Sequence, residues 1–261
     1  MRRVNLKTTV LSLLIIIGLT IVSCSSEDDN NLNNNNSCIS GATIQGEGPI
    51  VTRTLSIEDF NSINASGRAN ITITQGNTQE VTATGQANII EAITTGVNND
   101  IWDIGLEGPC GYSYDELSIN IVVPNINKIE SGGINTIVVN DFNNQTELAI
   151  DLGGSGSLTL NAFEGITALD FSAGGTGSFT ANKDITTLNT LNINQSGAFE
   201  YSGFNINVDD CTIIAGGTGT TEVTVQNNLD VTISGTATVR YKGNPTITQN
   251  ISGTGQLIEA N

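Results

Sequence analysis

A short glycine-centred segment recurs along this chain about every twenty residues, and that periodicity limits the fold more than any other feature. The anchors are Gly67-Arg68-Ala69, Gly133-Ile134-Asn135, Gly154-Ser155-Gly156, Gly175-Thr176-Gly177, Gln195-Ser196-Gly197, Gly217-Thr218-Gly219, Gly235-Thr236-Ala237 and Gly253-Thr254-Gly255. From residue 133 onward they are spaced 21, 21, 20, 22, 18 and 18 apart. The flanks keep the same register. Four residues before each anchor stand Ile63, Ile129, Ile150, Phe171, Leu191, Ile213, Val231 and Gln249. Four residues after stand Ile71, Ile137, Leu158, Phe179, Phe199, Thr221, Val239 and Leu257. Apolar residues alternate with polar ones on both sides of each corner, the period of a strand showing one face to a core. Phe142, Phe163 and Phe204 form a further column, nine residues after their anchors.

A strand, a corner, a second strand and a return within about twenty residues describe one coil of a parallel β-solenoid. No coil can bury its own apolar face, but stacking at about 4.8 Å per coil joins the columns into a core. The expected fold is therefore all-β, a β-solenoid with coils of 18–22 residues. The corner glycines Gly133, Gly154, Gly156, Gly175, Gly177, Gly217, Gly219, Gly253 and Gly255, with Asn135, are expected for two reasons. They reach positive φ, and they tolerate the close approach of the next coil. Thr and Ser at the corners are placed to form external hydroxyl rows. Calcium-binding β-roll repeats need a carboxylate where Leu158 and Phe179 stand, so calcium is not implied.

Residues 41–124 are less regular. Strands are expected at 50–56, 70–75, 80–84, 101–106 and 117–123, with a turn at Asn98-Asn99-Asp100 and one helical turn capped by Asn88. Because Gly67 carries the repeat pattern, this stretch reads as the opening of the same solenoid, and residues 125–261 as its regular coils. Residues 41–261 then make one domain.

Charge narrows the function. The 261 residues carry 9 Lys+Arg against 26 Asp+Glu, a net −17, and no histidine. Imidazole-dependent triads, dyads and metal sites are excluded. An acidic chain of this kind lacks the cationic footprint that nucleic acid needs. No cofactor motif is present. Lyase chemistry on uronates requires a base and cations, and the basic residues beyond the first 23 are only Arg53, Arg68, Lys128, Lys183, Arg240 and Lys242, dispersed in sequence. Asp209 and Asp210 are adjacent on a strand, and alternation would send them to opposite faces. An enzyme is not expected.

Residues 1–23 read as an export signal, with Arg2, Arg3 and Lys7 ahead of an apolar stretch too short for a confident span. Ile21-Val22-Ser23-Cys24 resembles a bacterial lipobox, making Cys24 the expected lipid-bearing residue of the mature N-terminus. Removing three basic residues leaves 6 against 26, a charge of −20. Residues 24–40, acidic and Asn-rich, are expected to be a disordered tether. Glu27-Asp28-Asp29 resembles a surface-export signal of Bacteroidetes lipoproteins, which implies an outer-membrane location facing outward; a solvated spacer is the alternative. Of the three remaining cysteines, Cys38 and Cys110 are the preferred disulfide pair, both lying in loop-like sequence. Cys211 sits among apolar strand residues.

The lipobox, Ser131-Gly132-Gly133-Ile134-Asn135 and the succession of Gly-Ser-Gly and Gly-Thr-Gly corners together resemble the family described as putative auto-transporter adhesin, head GIN domain. The resemblance spans about residues 56–260 and departs from Gly-x-Gly at Ala69, Asn135, Gln195 and Ala237. It implies a right-handed parallel β-helix shaped like pectin lyases but without their catalytic residues, and a role in adhesion. The expected function is a lipid-anchored, non-catalytic binding module for glycans or a host surface. The alternatives are a structural or signalling partner in the envelope and, third, a polysaccharide-degrading enzyme. Tyr112 and Tyr114, in a loop, are the candidate ligand contacts, whereas Trp102 alternates with Ile104 and Leu106 and reads as core. The ligand and the oligomeric state are not encoded in any motif.

Overall fold

The computed structural model describes residues 43–108 and 111–261. Cys24, Cys38 and Cys110, with the signal and the whole tether, lie outside the described residues. The described chain forms the expected parallel β-solenoid, and each coil contributes one strand before its glycine corner and one after it.

The strands before the corner make an entry sheet. Its order is Ile101–Ile104, Ser62–Ala65, Lys128–Ser131, Glu147–Leu152, Ala168–Ala173, Ile185–Gln195, the latter parts of Ala198–Ala215 and Thr220–Ile233, and Thr246–Ile251. The strands after the corner make an exit sheet. It runs from Leu117–Val123 through Arg68–Gln75, Ile134–Val139, Ser155–Leu160 and Thr176–Ala181 to Thr238–Lys242 and Gln256–Glu259, with the opening parts of the two long strands between.

Chain order and spatial order differ at the start. The coil at residues 62–75 lies directly beneath that at 128–139, while residues 101–123, which come between them in sequence, lie on its other side. The solenoid thus builds one coil backwards before it advances. This explains why 66 residues separate Gly67 from Gly133 although they are neighbours in space. That end is closed by antiparallel strands, Glu80–Gln86 on Leu117–Val123 and Ile50–Leu55 on Glu80–Gln86. The helix Ala87–Glu91 packs there, burying Ile89 and Ile90. It begins at Gln86 without a side-chain cap. Asn88 is inside the helix and pins another segment instead, accepting from the Glu47 amide at 2.9 Å and donating to the Gln45 carbonyl at 2.8 Å. The expected turn is present, with Asn99 and Asp100 both at positive φ.

The core is the set of inward columns. Trp102, Ile63, Ile129, Ile150, Phe171, Ile193, Ile213 and Val231 stack along the entry sheet, all at most 2% exposed. Each such side chain contributes about 1.5–3 kcal/mol by leaving water. Trp102 is core as expected, and its indole N–H donates to the Thr94 carbonyl at 2.9 Å. Phe142 stacks on Phe163 at 5.3 Å. Phe204 does not continue that column: Ile206 pairs with Ile185, and Phe204 lies partly exposed with the Lys242 ammonium 4.3 Å above its ring. Along one edge, Asn182 donates to Asn161 at 3.0 Å and Asn161 to Asn140 at 2.8 Å, a side-chain ladder with the coil period.

The corner register corrects the sequence alignment at one coil. Thr176 pairs with Ala198 and Ala173 with Gln195, so the spatial partner of Gly175 is Gly197, two residues beyond Gln195. A shift of two keeps every side chain on its own face, which is why alternation alone did not reveal it. Tyr201, not Phe199, then stacks on Phe179, at 4.5 Å and 13°. Gln195 enters the core column and is satisfied there. Its amide nitrogen donates to the carbonyls of Phe199 at 2.5 Å and Thr218 at 3.1 Å, and its oxygen accepts from Thr221 at 2.7 Å.

With that register the first glycine of the corner is unbroken: Gly67, Gly133, Gly154, Gly175, Gly197, Gly217, Gly235 and Gly253. A Cβ on any of the last seven would lie 1.7–2.2 Å from the carbonyl oxygen of the glycine in the coil before. Positive φ is not the general reason, since in this column only Gly67 adopts it, at 78°. The steric requirement covers both corner positions where glycine stands, since a Cβ on Gly156, Gly177, Gly219 or Gly255 would lie 1.9–2.3 Å from a carbonyl oxygen of the coil before, but it does not extend to Gly153. A Cβ on Gly153 meets nothing within 4 Å, whereas one on Gly175 would lie 1.7 Å from the Gly154 oxygen. Gly175→Ala is therefore expected to lower stability by about 2–4 kcal/mol, and Gly153→Ala by less than about 0.5 kcal/mol. Denaturant midpoints of the two variants check this, and equal midpoints would refute the steric account.

Candidate binding surfaces

Outward residues on the two sheets differ sharply in charge. The entry sheet presents Asp103, Glu130, Glu147, Asp151, Asp170, Asp210 and Asp230 against one cation, Lys128. The exit sheet balances Arg68, Arg240 and Lys242 with Glu200, Glu222 and Glu259, between rows that include Thr136, Ser157, Ser178, Thr159 and Thr180. At the corner Ser155 and Thr176 bond through their oxygens at 2.9 Å, but the row is interrupted by Ile134 on one side and Ala198 on the other.

Every described basic side chain is already engaged. Arg53 pairs with Glu91 at 2.7 Å, Lys128 with Glu130 at 2.6 Å, Lys183 with Asp141 at 3.1 Å and Arg240 with Glu222 at 3.0 Å. Arg68 lies over the Tyr114 ring at 4.9 Å, and Lys242 over Phe204. Donation from Lys183 and from the Ala162 amide holds the Asp141 carboxyl below its ordinary value.

A groove of about 450 Å³ runs across the entry sheet, lined by Ala149 and Ile214 together with Lys128, Asp151, Asn192 and Asn194 among others. A second hollow of about 450 Å³ adjoins it, sharing Ala149, Asp170 and Asn192. Ile214 is 48% exposed, an isoleucine facing solvent in the middle of a sheet. Asn192 donates to Asp170 at 2.7 Å, and Asn228 to Asp210 at 2.6 Å. Glu130 stands beside Asp151 across adjacent strands, a like-charge pair that costs stability. Sequence reading did not single out this face, although the signal was there. Each acid from Glu130 to Asp230 falls three, five or seven residues before its corner glycine, an odd offset that points outward.

The expected site residues are placed elsewhere. Tyr112 donates to the Glu107 carbonyl at 2.5 Å and Tyr114 to the Arg68 carbonyl at 2.6 Å, and both rings pack partly buried against the core. Both phenols are committed within the fold, at the closed end and away from the groove. Asp209 and Asp210 are both exposed, contrary to strict alternation, because a bulge interrupts the register between Val208 and Asp210. Among the described residues no three acidic, cysteine or histidine side chains gather as a metal site.

The family model for the putative auto-transporter adhesin, head GIN domain, matches residues 59–245. The chain belongs to this family. No curated protein matches it in sequence. Among solved structures it resembles a putative adhesin of Bacteroides fragilis, at 20% identity and TM-score 0.77, covering 83% of this chain and all of that one. It also resembles a putative adhesin of Parabacteroides distasonis, at 18% identity and TM-score 0.62, with 84% and 100% coverage. A putative lipid binding protein of the same organism matches at 18% identity and TM-score 0.65, with the same coverage. At these identities the likeness is one of fold.

Two buried groups give this head GIN domain a pH signature. Burial, and secondarily the neighbouring Cys211, holds the Tyr201 phenol well above its ordinary 10.0, and its hydroxyl has no hydrogen-bond partner. Burial likewise raises the Cys211 thiol. Both are neutral in the fold, so their folded values exceed the unfolded ones. Stability linked to them is intact below the unfolded values of 9.0 and 10.0 and declines as pH rises above them. Alkaline titration is expected to show stability falling from about pH 9 upward, first through Cys211 and then through Tyr201. At pH 8, peptide mapping after maleimide treatment should find Cys211 labelled only in denaturant, and labelling in the native state would refute its burial.

Proposed function

We propose that this head GIN domain is a non-catalytic, surface-exposed adhesion module that holds an uncharged glycan along the groove of its entry sheet, and that Cys24 anchors it by lipid to the outer membrane. The observation that carries the reading is a lining that combines the apolar Ala149 and Ile214 with the amides and hydroxyl of Asn192, Asn194 and Thr212. Sugars present the same mixture, apolar C–H faces and hydroxyls that both donate and accept.

Charge selects within the sugars. An anionic chain would meet Asp151, Asp170 and Asp230 without a free cation to neutralise it, since Lys128 is spent on Glu130. The same fact weighs against the lyase alternative, whose transition state needs positive charge beside the uronate. Membership of an adhesin family and the neighbours named as adhesins support a binding role at the cell surface.

The test is a glycan array read with the purified protein, beside an Asn194→Ala/Ile214→Ala variant. Both residues are exposed, so the fold is expected to tolerate the change. Binding to neutral oligosaccharides, reduced at least about tenfold in the variant, is the expected result; tenfold corresponds to about 1.4 kcal/mol. Binding confined to sulfated or uronate glycans, or unaffected by the variant, would overturn this site. Radiolabelled palmitate incorporation lost in Cys24→Ala checks the anchor.

A further inference from the structure

The two ends of the solenoid are finished differently. At one end antiparallel strands and a helix cover the first coil, and among the described residues the outermost strand there, Ile50–Leu55, has a free edge that carries the charge of Arg53. At the other, Thr246–Ile251 pairs only with Thr220–Ile233, and Gln256–Glu259 only with Thr238–Lys242, so each strand keeps one free edge among the described residues. Free edges are templates for further pairing unless charge, proline or a bulge guards them. Thr246–Ile251 contains none of these guards: its sequence is Thr-Ile-Thr-Gln-Asn-Ile. Every residue in it is exposed. Of the six exposed large apolar side chains among the described residues, Ile247, Ile251 and Ile258 are in this one coil, at 37–40% exposure.

The core columns run straight into that edge. Ile247 continues the column of Leu229, Gln249 that of Val231, Ile251 that of Ile233, and Leu257 that of Val239. An antiparallel partner can pair a strand with its own copy about a two-fold axis, and here the sequence is symmetric in the needed sense. Centred on Gln249, the pairing sets Ile247 opposite Ile251, Gln249 opposite Gln249 and Thr248 opposite Asn250. All three inward residues remain inward, because the axis lies along the sheet normal. The apolar columns of two copies then join, and the two Gln249 amides, each a donor and an acceptor, satisfy one another.

We infer that the edge of this coil docks a second copy of the same chain, end to end, by antiparallel continuation of the entry sheet. Charge is compatible with this occupant. The paired strands are neutral in a chain of net −17, whereas side-by-side contact between entry sheets would oppose seven carboxylates with seven more. The contact is small. A coil about 20 Å long and about 10 Å thick covers a few hundred Å² per partner, below the ~800 Å² of a standard stable interface. The dimer is therefore reversible and concentration-dependent, and it places two solenoids end to end.

Sedimentation velocity over a concentration series tests this on the whole protein and on two variants, Gln249→Lys and, as a control on the exit sheet, the exposed Thr136→Lys. The expected result is a dimer of elongated shape, with self-association weakened at least tenfold by Gln249→Lys, where two like charges would meet at the axis, and unchanged by Thr136→Lys. Gln249→Cys should also crosslink with itself under mild oxidation more readily than Asn250→Cys, which faces Thr248 instead. A monomer at every concentration, a dimer indifferent to Gln249→Lys, or equal crosslinking at both cysteines would each overturn the inference. Neither the glycan site nor the lipid anchor enters this outcome.

Discussion

Everything in this molecule depends on the approach of one backbone to the next at the glycine corner. The carbonyl of each corner glycine lies where the next coil's Cβ would be, 1.7–2.2 Å away, from Gly67 to Gly253. That contact closes the angle between entry and exit sheets and sets the coils in register. The register in turn delivers Ile63, Ile129, Ile150 and Phe171 to one column and Ile71, Ile137, Leu158 and Phe179 to the other. A larger residue at one corner would push apart two coils and every column crossing them. The second corner position admits other residues in some coils, although its glycines are placed as tightly as the first, with a Cβ on Gly156, Gly177 or Gly219 1.9–2.0 Å from the preceding coil's carbonyl oxygen. Ala69, Asn135, Phe199 and Ala237 occupy it, and Asn135 uses its amide to bridge Ala65 and Ser131.

Because the corners and inward faces are fixed by packing, chemical variety is left to the outward rows, and these are not equivalent. One sheet collects carboxylates around a shallow groove with an exposed isoleucine; the other is close to neutral and rich in hydroxyls. The six described cations are all drawn into ion pairs or over rings. The surface accordingly offers acceptors, amides and apolar patches but little free positive charge. A lone methyl-rich side chain such as Ile214 on a solvated face is ordinary alone; its place in the groove lining gives it meaning.

Much of the fold was legible in the sequence because its signals repeat. Eight corners and two apolar columns reinforce one another, so a single misread corner at Gln195 did not disturb the fold class. The site was less legible for a physical reason: outward side chains are constrained only by solvent, and their periodicity carries no packing signal. Tyr112 and Tyr114 drew attention as aromatics in a loop, yet their hydroxyls close internal hydrogen bonds to Glu107 and Arg68 that no local pattern announces.

The sequence by itself determined an all-β solenoid, its coil length, the inward identity of Trp102 and the lack of imidazole chemistry. These follow from alternation and repetition, which act between residues a few positions apart or at a constant offset. Tertiary structure alone decided that residues 101–123 stack behind residues 62–75, that Gly197 replaces Gln195 at the corner, that a bulge exposes both Asp209 and Asp210, and that Thr246–Ile251 keeps a free edge among the described residues. Each of those is a choice of partner among strands with the same face pattern. Strands that share a period of two pair equally well in local terms, so the choice falls to the packing of the whole.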